Sequence, residues 1–204
     1  MSIIFDFDGT IADSFDTTVR VFYKLTGHGQ RLSDKELARL RGLTMLQAVE
    51  ELRIHPLKIP FLMMRGRLQM ARRIKHIAVQ PGVASVIRQL RADGHQLFIV
   101  SSNSQRNIQT FLRQHHLASD FGAVYGGVGL FNKAKALQKV LRHNQLAPDD
   151  AYYVSDEVRD VTAAQSVGIP VIAVTWGYNN AEILRQHQPT HLVEKPEQLL
   201  RLLQ

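Results

Sequence analysis

The sequence predicts a doubly wound α/β fold: a parallel sheet with helices on both faces, carrying a small all-helical cap inserted after its first strand. Three observations predict it. Short apolar runs bounded by turn residues recur along the chain, helical patterns separate most of them, and one stretch near the start holds helix signals alone.

The first run, Ile3-Ile4-Phe5, ends in Asp6-Phe7-Asp8-Gly9-Thr10, where Gly9 supplies turn chemistry. A buried strand running into a polar loop is expected there. Similar runs follow at Gln96–Val100, Ala123–Tyr125, Ala151–Val154 and Val171–Val174, with a weaker one at His191–Val193. Between them, Ala84–Leu90 follows the Pro81-Gly82 turn, and Ile108–Leu112 follows a polar stretch from Ser101 to Asn107. Ala134–Leu141 and Val161–Val167 complete the helical series, with Gly168 as a stop signal.

Residues 13–79 break this rhythm. Val19, Phe22, Tyr23 and Thr26 have helical spacing, with Gly27 and Gly29 expected to end that helix. Ser33 with Glu36, and Thr44 with Gln47 after a Gly42 break, each read as a capping box that opens a further helix. Pro60 suits the first turn of a fourth, running towards His76. The expected division is therefore a core of residues 1–12 and 80–204 with a helical cap at 13–79.

Composition narrows the functional classes. The 204 residues are 45% apolar and 21% charged, ordinary for a globular chain and unlike a disordered one. No run approaches the length of a membrane span, and the chain enters Ile3 without the basic region of a secretory leader. The absence of cysteine removes disulfides, thiolate metal sites and cysteine nucleophiles. A cytoplasmic monomer or homodimer is the expectation. The net charge of +7 favours anionic partners, but Lys and Arg are spread out and no aromatic-interleaved basic cluster suggests stacking on bases. A small phosphorylated metabolite fits better than nucleic acid, and no membrane partner is expected.

In open α/β sheets, ligands bind beyond the carboxyl ends of the strands. The chemistry-bearing residues fall there. Asp6 and Asp8 follow the first run, Ser101-Ser102-Asn103 the second, and Lys133 lies beyond the third. Ser155-Asp156-Glu157 follows the fourth, with Asp160 one helical turn later. Two carboxylates at i and i+2 of an extended strand project to one side. One can attack phosphorus while the other protonates the leaving oxygen and later activates water. Carboxylates against an anionic phosphate require a cation, and a magnesium ion on oxygens of Asp6, Asp156 and the Asp8 carbonyl would supply it. Lys133 adds positive charge, while Ser101 and neighbouring groups of Ser102 and Asn103 can hold phosphate oxygens.

Asp6-Phe7-Asp8-Gly9-Thr10 matches the signature of the haloacid dehalogenase superfamily, and the later motifs occur in that family's order. The chain resembles its phosphoglycolate phosphatase-like members, whose helical insert after the first strand is a cap. The resemblance implies an aspartyl-phosphate on Asp6, Asp8 as general acid/base, phosphate binding by Ser101 and Lys133, and magnesium at Asp156 with support from Asp160. It also suggests that the Leu40-Arg41-Gly42-Leu43-Thr44 loop faces the site, with Arg41 reading the substrate. An exposed loop arginine is the plain alternative.

Two departures stand out: Ser155 replaces the glycine common before the metal-binding Asp, and no proline follows Lys133. Lys135 is a rival for the lysine role, although two residues along a helix turn it about 200° away. The expected activity is hydrolysis of a phosphate monoester. The alternatives are a phosphomutase with the same residues, and a non-catalytic protein that binds a phosphate ligand.

Overall fold

The computed structural model describes residues 1–27, 32–129 and 132–203; Gly29 lies outside them. Six parallel strands form one sheet in the order β3-β2-β1-β4-β5-β6. They are β1 (Ser2–Phe5), β2 (Gln96–Val100), β3 (Ala123–Tyr125), β4 (Ala151–Ser155), β5 (Val171–Val174) and β6 (His191–Val193). Ile3 stands in register with Leu97 of β2 and Tyr152 of β4, so β1 lies at the centre. The chain winds outward from β1 in one direction through β2 and β3. It then returns to β4 and winds in the other direction, so the order reverses between β1 and β4. A crevice opens at such a reversal, outside the carboxyl ends of the two strands.

Side-chain alternation on β1 feeds two cores. Ile3 and Phe5 pack with Val86, Ile87 and Leu90 of α5 (Val83–Ala92), and with Ile108 and Phe111 of α6 (Gln105–Gln114). Ile4 faces Leu137 and Val140 of α7 (Lys133–His143), and Val161 and Ala164 of α8 (Val158–Gln165). Both faces are covered, which is why the strands read as continuous apolar runs instead of alternating ones. Helices α9 (Ala181–Gln186) and α10 (Glu197–Leu202) complete the two layers.

Between β1 and α5 the described chain is helical: α1 (Phe15–Leu25), α2 (Asp34–Leu40), α3 (Met45–Glu51) and α4 (Ile59–Arg73). Ser33 and Thr44 each accept the backbone N–H three residues on while Glu36 and Gln47 reach back, so both capping boxes are formed. Pro60 sits in the first turn of α4, where its missing N–H costs nothing. This segment has a small core of its own, with Phe15, Leu32, Leu37 and Leu40 buried together. The chain enters and leaves it side by side. Asp13 N–H bonds Ala78 O at 2.9 Å, Gln80 N–H bonds Ile11 O at 2.8 Å, and Ala12 bridges Val79.

Candidate active site

The crevice between β1 and β4 collects the expected residues. Asp6 directly follows β1 and is buried, and its Oδ1 accepts a hydrogen bond from Lys133 Nζ at 2.7 Å. Lys133 opens α7, is itself buried, and also donates to Val100 O at 3.1 Å and approaches Asp160 Oδ2 at 2.9 Å. Lys135 is exposed, so of the two lysines Lys133 is the one that enters the crevice. Burial opposes the ammonium charge, but Asp160 and Asp6 outweigh it and raise the lysine's pKa above its ordinary value.

Asp8 lies in the tight turn after β1, where Gly9 adopts φ +83° and the Ile11 and Ala12 N–H groups return to Phe7 O. Its two oxygens accept from Ser14 Oγ at 2.9 Å and Asn103 Nδ2 at 3.0 Å. Burial pushes the Asp8 carboxyl up, and the Ser14 and Asn103 bonds only partly oppose it. Asn103 is fixed in turn by Asn107 Nδ2 at 3.0 Å, while Ser101 Oγ accepts the Asn103 N–H at 3.1 Å. Ser101 is buried at the end of β2, and Ser102 lines the cavity above Asp8.

Asp156 follows β4 and is fully buried. Oδ1 accepts from Thr10 Oγ1 at 2.5 Å and Oδ2 from Tyr178 N–H at 2.7 Å. A Cβ at Gly9 or at Gly177 would overlap Asp156 Oδ2, so two bare backbones form the slot that receives this carboxyl. Burial, and then the neighbouring Glu157, push its pKa up to about 8. Asp160 behaves oppositely. Burial raises it, but Lys133 and Arg159 outweigh burial and hold it below its ordinary value. Its Oδ2 accepts from Tyr153 Oη and Ser155 Oγ, each at 2.9 Å, besides facing Lys133. Ser155, where the family often has glycine, thus secures Asp160. Asp160 Oδ2 meets the lysine, while its Oδ1 is buried without a hydrogen-bond partner among the described residues.

The donor set fits a hard cation. Five carboxyl groups (Asp6, Asp8, Asp156, Glu157, Asp160) share the crevice with two cations, Lys133 and Arg159, among the described residues. Burial pushes the Asp6 carboxyl well above its ordinary range despite Lys133, with Asp160, Asp156 and Glu157 adding to the effect. Buried carboxylates in such excess hold protons unless a cation offsets them. No three His, Cys, Asp or Glu side chains converge as metal ligands among the described residues. Asp6 and Asp156 with a backbone carbonyl such as that of Asp8 form the smaller oxygen set that remains, and oxygen ligands suit magnesium.

In the structure Arg41 packs against the core. Its Nη1 donates to the carbonyls of Gly177 and Trp176, and its guanidinium lies 4.1 Å from the Phe15 ring centroid. Asn180 N–H in turn bonds Arg41 O at 2.8 Å, so this loop ties the helical segment to the loop after β5. Sequence reasoning missed that loop. Trp176 Nε1 donates to Thr10 O at 3.1 Å, and Tyr178 Oη bonds Ser14 and Thr18 at 3.1 and 2.8 Å. Gln80 Nε2 also supports the turn, donating to Gly9 O at 3.0 Å. Trp176, Gly177 and Tyr178 stand beyond the carboxyl end of β5, so the strand-end rule could have found them.

Known proteins resemble this chain in sequence and in fold. Residues 3–174 match the family model described as haloacid dehalogenase-like hydrolase. The chain belongs to that family. A curated relative, a phosphoglycolate phosphatase of Synechococcus elongatus, is 35% identical over 98% of this chain and 95% of its own length. Another of that name, from Vibrio cholerae, is 27% identical over 92% of this chain and 89% of its own length. Others align over less: a phosphoglycolate phosphatase 1 of Pseudomonas aeruginosa matches 60% of the chain and 46% of its own length. In fold, a haloacid dehalogenase-like hydrolase of Streptococcus pneumoniae superposes with a TM-score of 0.80 at 23% identity, covering 100% of this chain and 98% of that one. The chain is thus an enzyme of the hydrolase family, similar to its phosphatases. No helix among the described residues is long and apolar enough to cross a membrane.

Proposed function

We propose that this enzyme is a cytoplasmic, magnesium-dependent phosphatase that hydrolyses a small phosphate monoester through an aspartyl-phosphate on Asp6. The observation that carries the reading is the pairing of roles at the end of β1. Asp6 is held against a buried ammonium group at 2.7 Å, and Asp8, two residues on, has an environment that favours its protonated form. Asp6 attacks phosphorus and the ester oxygen leaves, taking the Asp8 proton. Asp8, now a carboxylate, accepts a proton from the water that attacks the phospho-Asp6, which releases inorganic phosphate and restores Asp6. Lys133 balances charge on Asp6 and the transferring group, and Ser101, Ser102 and Asn103 bound the phosphate side of the site.

Asp6, Asp156 and the Asp8 carbonyl would hold magnesium, which when bound supplies the positive charge that lets several acids and a phosphate stay ionised together. Asp160 contributes through Lys133. The helical segment acts as a cap whose paired connections at Ala12 and Val79 let it shield the site from water. The cavity between it and the core is mostly apolar above the acids, which gives a sugar's hydroxyls few partners. That favours hydrolysis over a sugar phosphomutase. The names of the relatives make phosphoglycolate the first substrate to try.

The test is release of inorganic phosphate from an aryl phosphate and from phosphoglycolate, with magnesium or chelator, for wild type and Asp6→Asn. Magnesium-dependent release that Asp6→Asn abolishes is expected. Full activity in Asp6→Asn would overturn the covalent mechanism.

A further inference from the structure

A cavity of about 240 Å³ rises from Asp8, Ser102 and Asn103 into the space between α1, α3 and α4. Its upper wall is apolar, built from residues such as Phe22, Leu43, Val49, Leu62 and Met63. Two features of α4 interrupt that wall. Gly66 occupies the helix interior, where glycine weakens a helix, although a Cβ there would meet nothing within 4 Å. The space beside it is open. Arg67, the next residue, is exposed to solvent and borders the cavity, and it forms no hydrogen bond or ion pair with the described residues.

The other cations near the site are already engaged. Arg159 pairs with Glu157 at 2.7 Å, Lys133 with Asp6 and Asp160, and Arg41 donates to the Trp176 and Gly177 carbonyls. We propose that the cavity is the subsite for the leaving alcohol and that Arg67 is its specificity-determining residue, pairing with an anionic group at the far end of that alcohol. This rests on the phosphatase reading above. A carboxylate entering an apolar cavity loses its hydration and needs a cation in return. A guanidinium matches a carboxylate with two parallel N–H donors, so Arg67 at the cavity's solvent-facing border can meet that anion geometrically. The open face at Gly66 leaves α4 bare where the alcohol passes.

The experiment compares phosphoglycolate with ethyl phosphate, whose neutral alcohol has the same carbon count. Wild type, Arg67→Gln, Arg67→Lys and Gly66→Leu are measured, with melting temperatures as the folding control. Arg67→Gln is expected to raise KM for phosphoglycolate by roughly threefold to tenfold, the scale of an ion pair partly screened by solvent, with kcat little changed. Ethyl phosphate should be unaffected, and Arg67→Lys should recover part of the loss. Gly66→Leu should raise KM for phosphoglycolate without lowering the melting temperature. Equal effects of Arg67→Gln on both esters, or none on either, would overturn the proposal while leaving the phosphatase reading in place. Wild type active on ethyl phosphate and inert on phosphoglycolate would do the same. Wild type inert on both esters and on the aryl phosphate would remove the phosphatase reading and this one with it.

Discussion

Replacing Asp156 with asparagine separates what this carboxyl does for function from what it does to the fold. In the metal-free protein its pKa is pushed up from the ordinary 3.8 to about 8. At pH 7 the unfolded chain has released that proton while the folded chain keeps it. Between 3.8 and about 8 the native state therefore binds more protons, and stability falls by about 1.4 kcal/mol per pH unit; below and above that window the contribution is flat. The cost at pH 7 reaches ~4 kcal/mol. Asparagine has the same shape and no charge. Its Oδ1 can accept the Tyr178 N–H and its Nδ2 can donate to Thr10 Oγ1, which retains both contacts of the native carboxyl. Asp156→Asn should stabilise the chelated protein by ~2–4 kcal/mol near pH 7, or roughly 5–10 °C in melting temperature for a chain of this size. At pH 4 the two proteins should melt nearly together. Magnesium should stabilise wild type by mass action, by ~2.7 kcal/mol at a hundredfold excess over Kd, and the variant much less. Thermal melts with chelator and with magnesium at both pH values make the measurement. A melting difference that does not change with pH, or equal stabilisation of both proteins by magnesium, would refute the reasoning.

Two further outcomes follow from the same crevice. Gly177→Ala would drive a Cβ into Asp156, so magnesium-dependent activity should fall by about a hundredfold or more and stability by ~1–3 kcal/mol, read by phosphate release and urea melts. Lys133→Met removes the cation between Asp6 and Asp160 and should cost about 3–5 kcal/mol near neutral pH. The lysine's raised pKa keeps its contribution present until pH climbs through that value. Asp160, with a depressed pKa, contributes above its ordinary 3.8 and loses that contribution as pH falls. The penalty in Lys133→Met should therefore shrink in acid, which urea melts across pH will show.

The sheet was legible because its central strands are short, nearly continuous apolar runs, while the edge strand at His191–Val193 gave a weaker signal. Ile3 and Ile4 point to opposite faces and both are buried, so no alternation was needed to recognise them. The helix starts at Ser33 and Thr44 were legible because a capping box is a local device, closed within four residues. The acidic turn at Asp6–Thr10 was legible from its place after an apolar run, and the preference for Lys133 over Lys135 rested on helix geometry; Lys133 is the buried one of the two.

Other features exist only in three dimensions. No sequence rule places the Gly9 and Gly177 backbones on either side of Asp156, since those residues lie far apart in the chain and meet only because β1, β4 and β5 are neighbours. The same neighbourhood decides that Asp160 serves Lys133 through a shared oxygen, and that Ser155 supplies a hydroxyl where glycine would have none. Arg41 shows the limit most clearly. The family resemblance suggested a substrate contact for it, but only the packing shows its guanidinium on the Trp176 and Gly177 carbonyls and Arg67 of α4 at the border of the cavity. The chain by itself determined which chemistry was present, because residue type and strand-end position are local. Which carboxyl is pushed towards its protonated form, and which arginine is held by backbone carbonyls, was decided by burial and by partners contributed from other strands and helices.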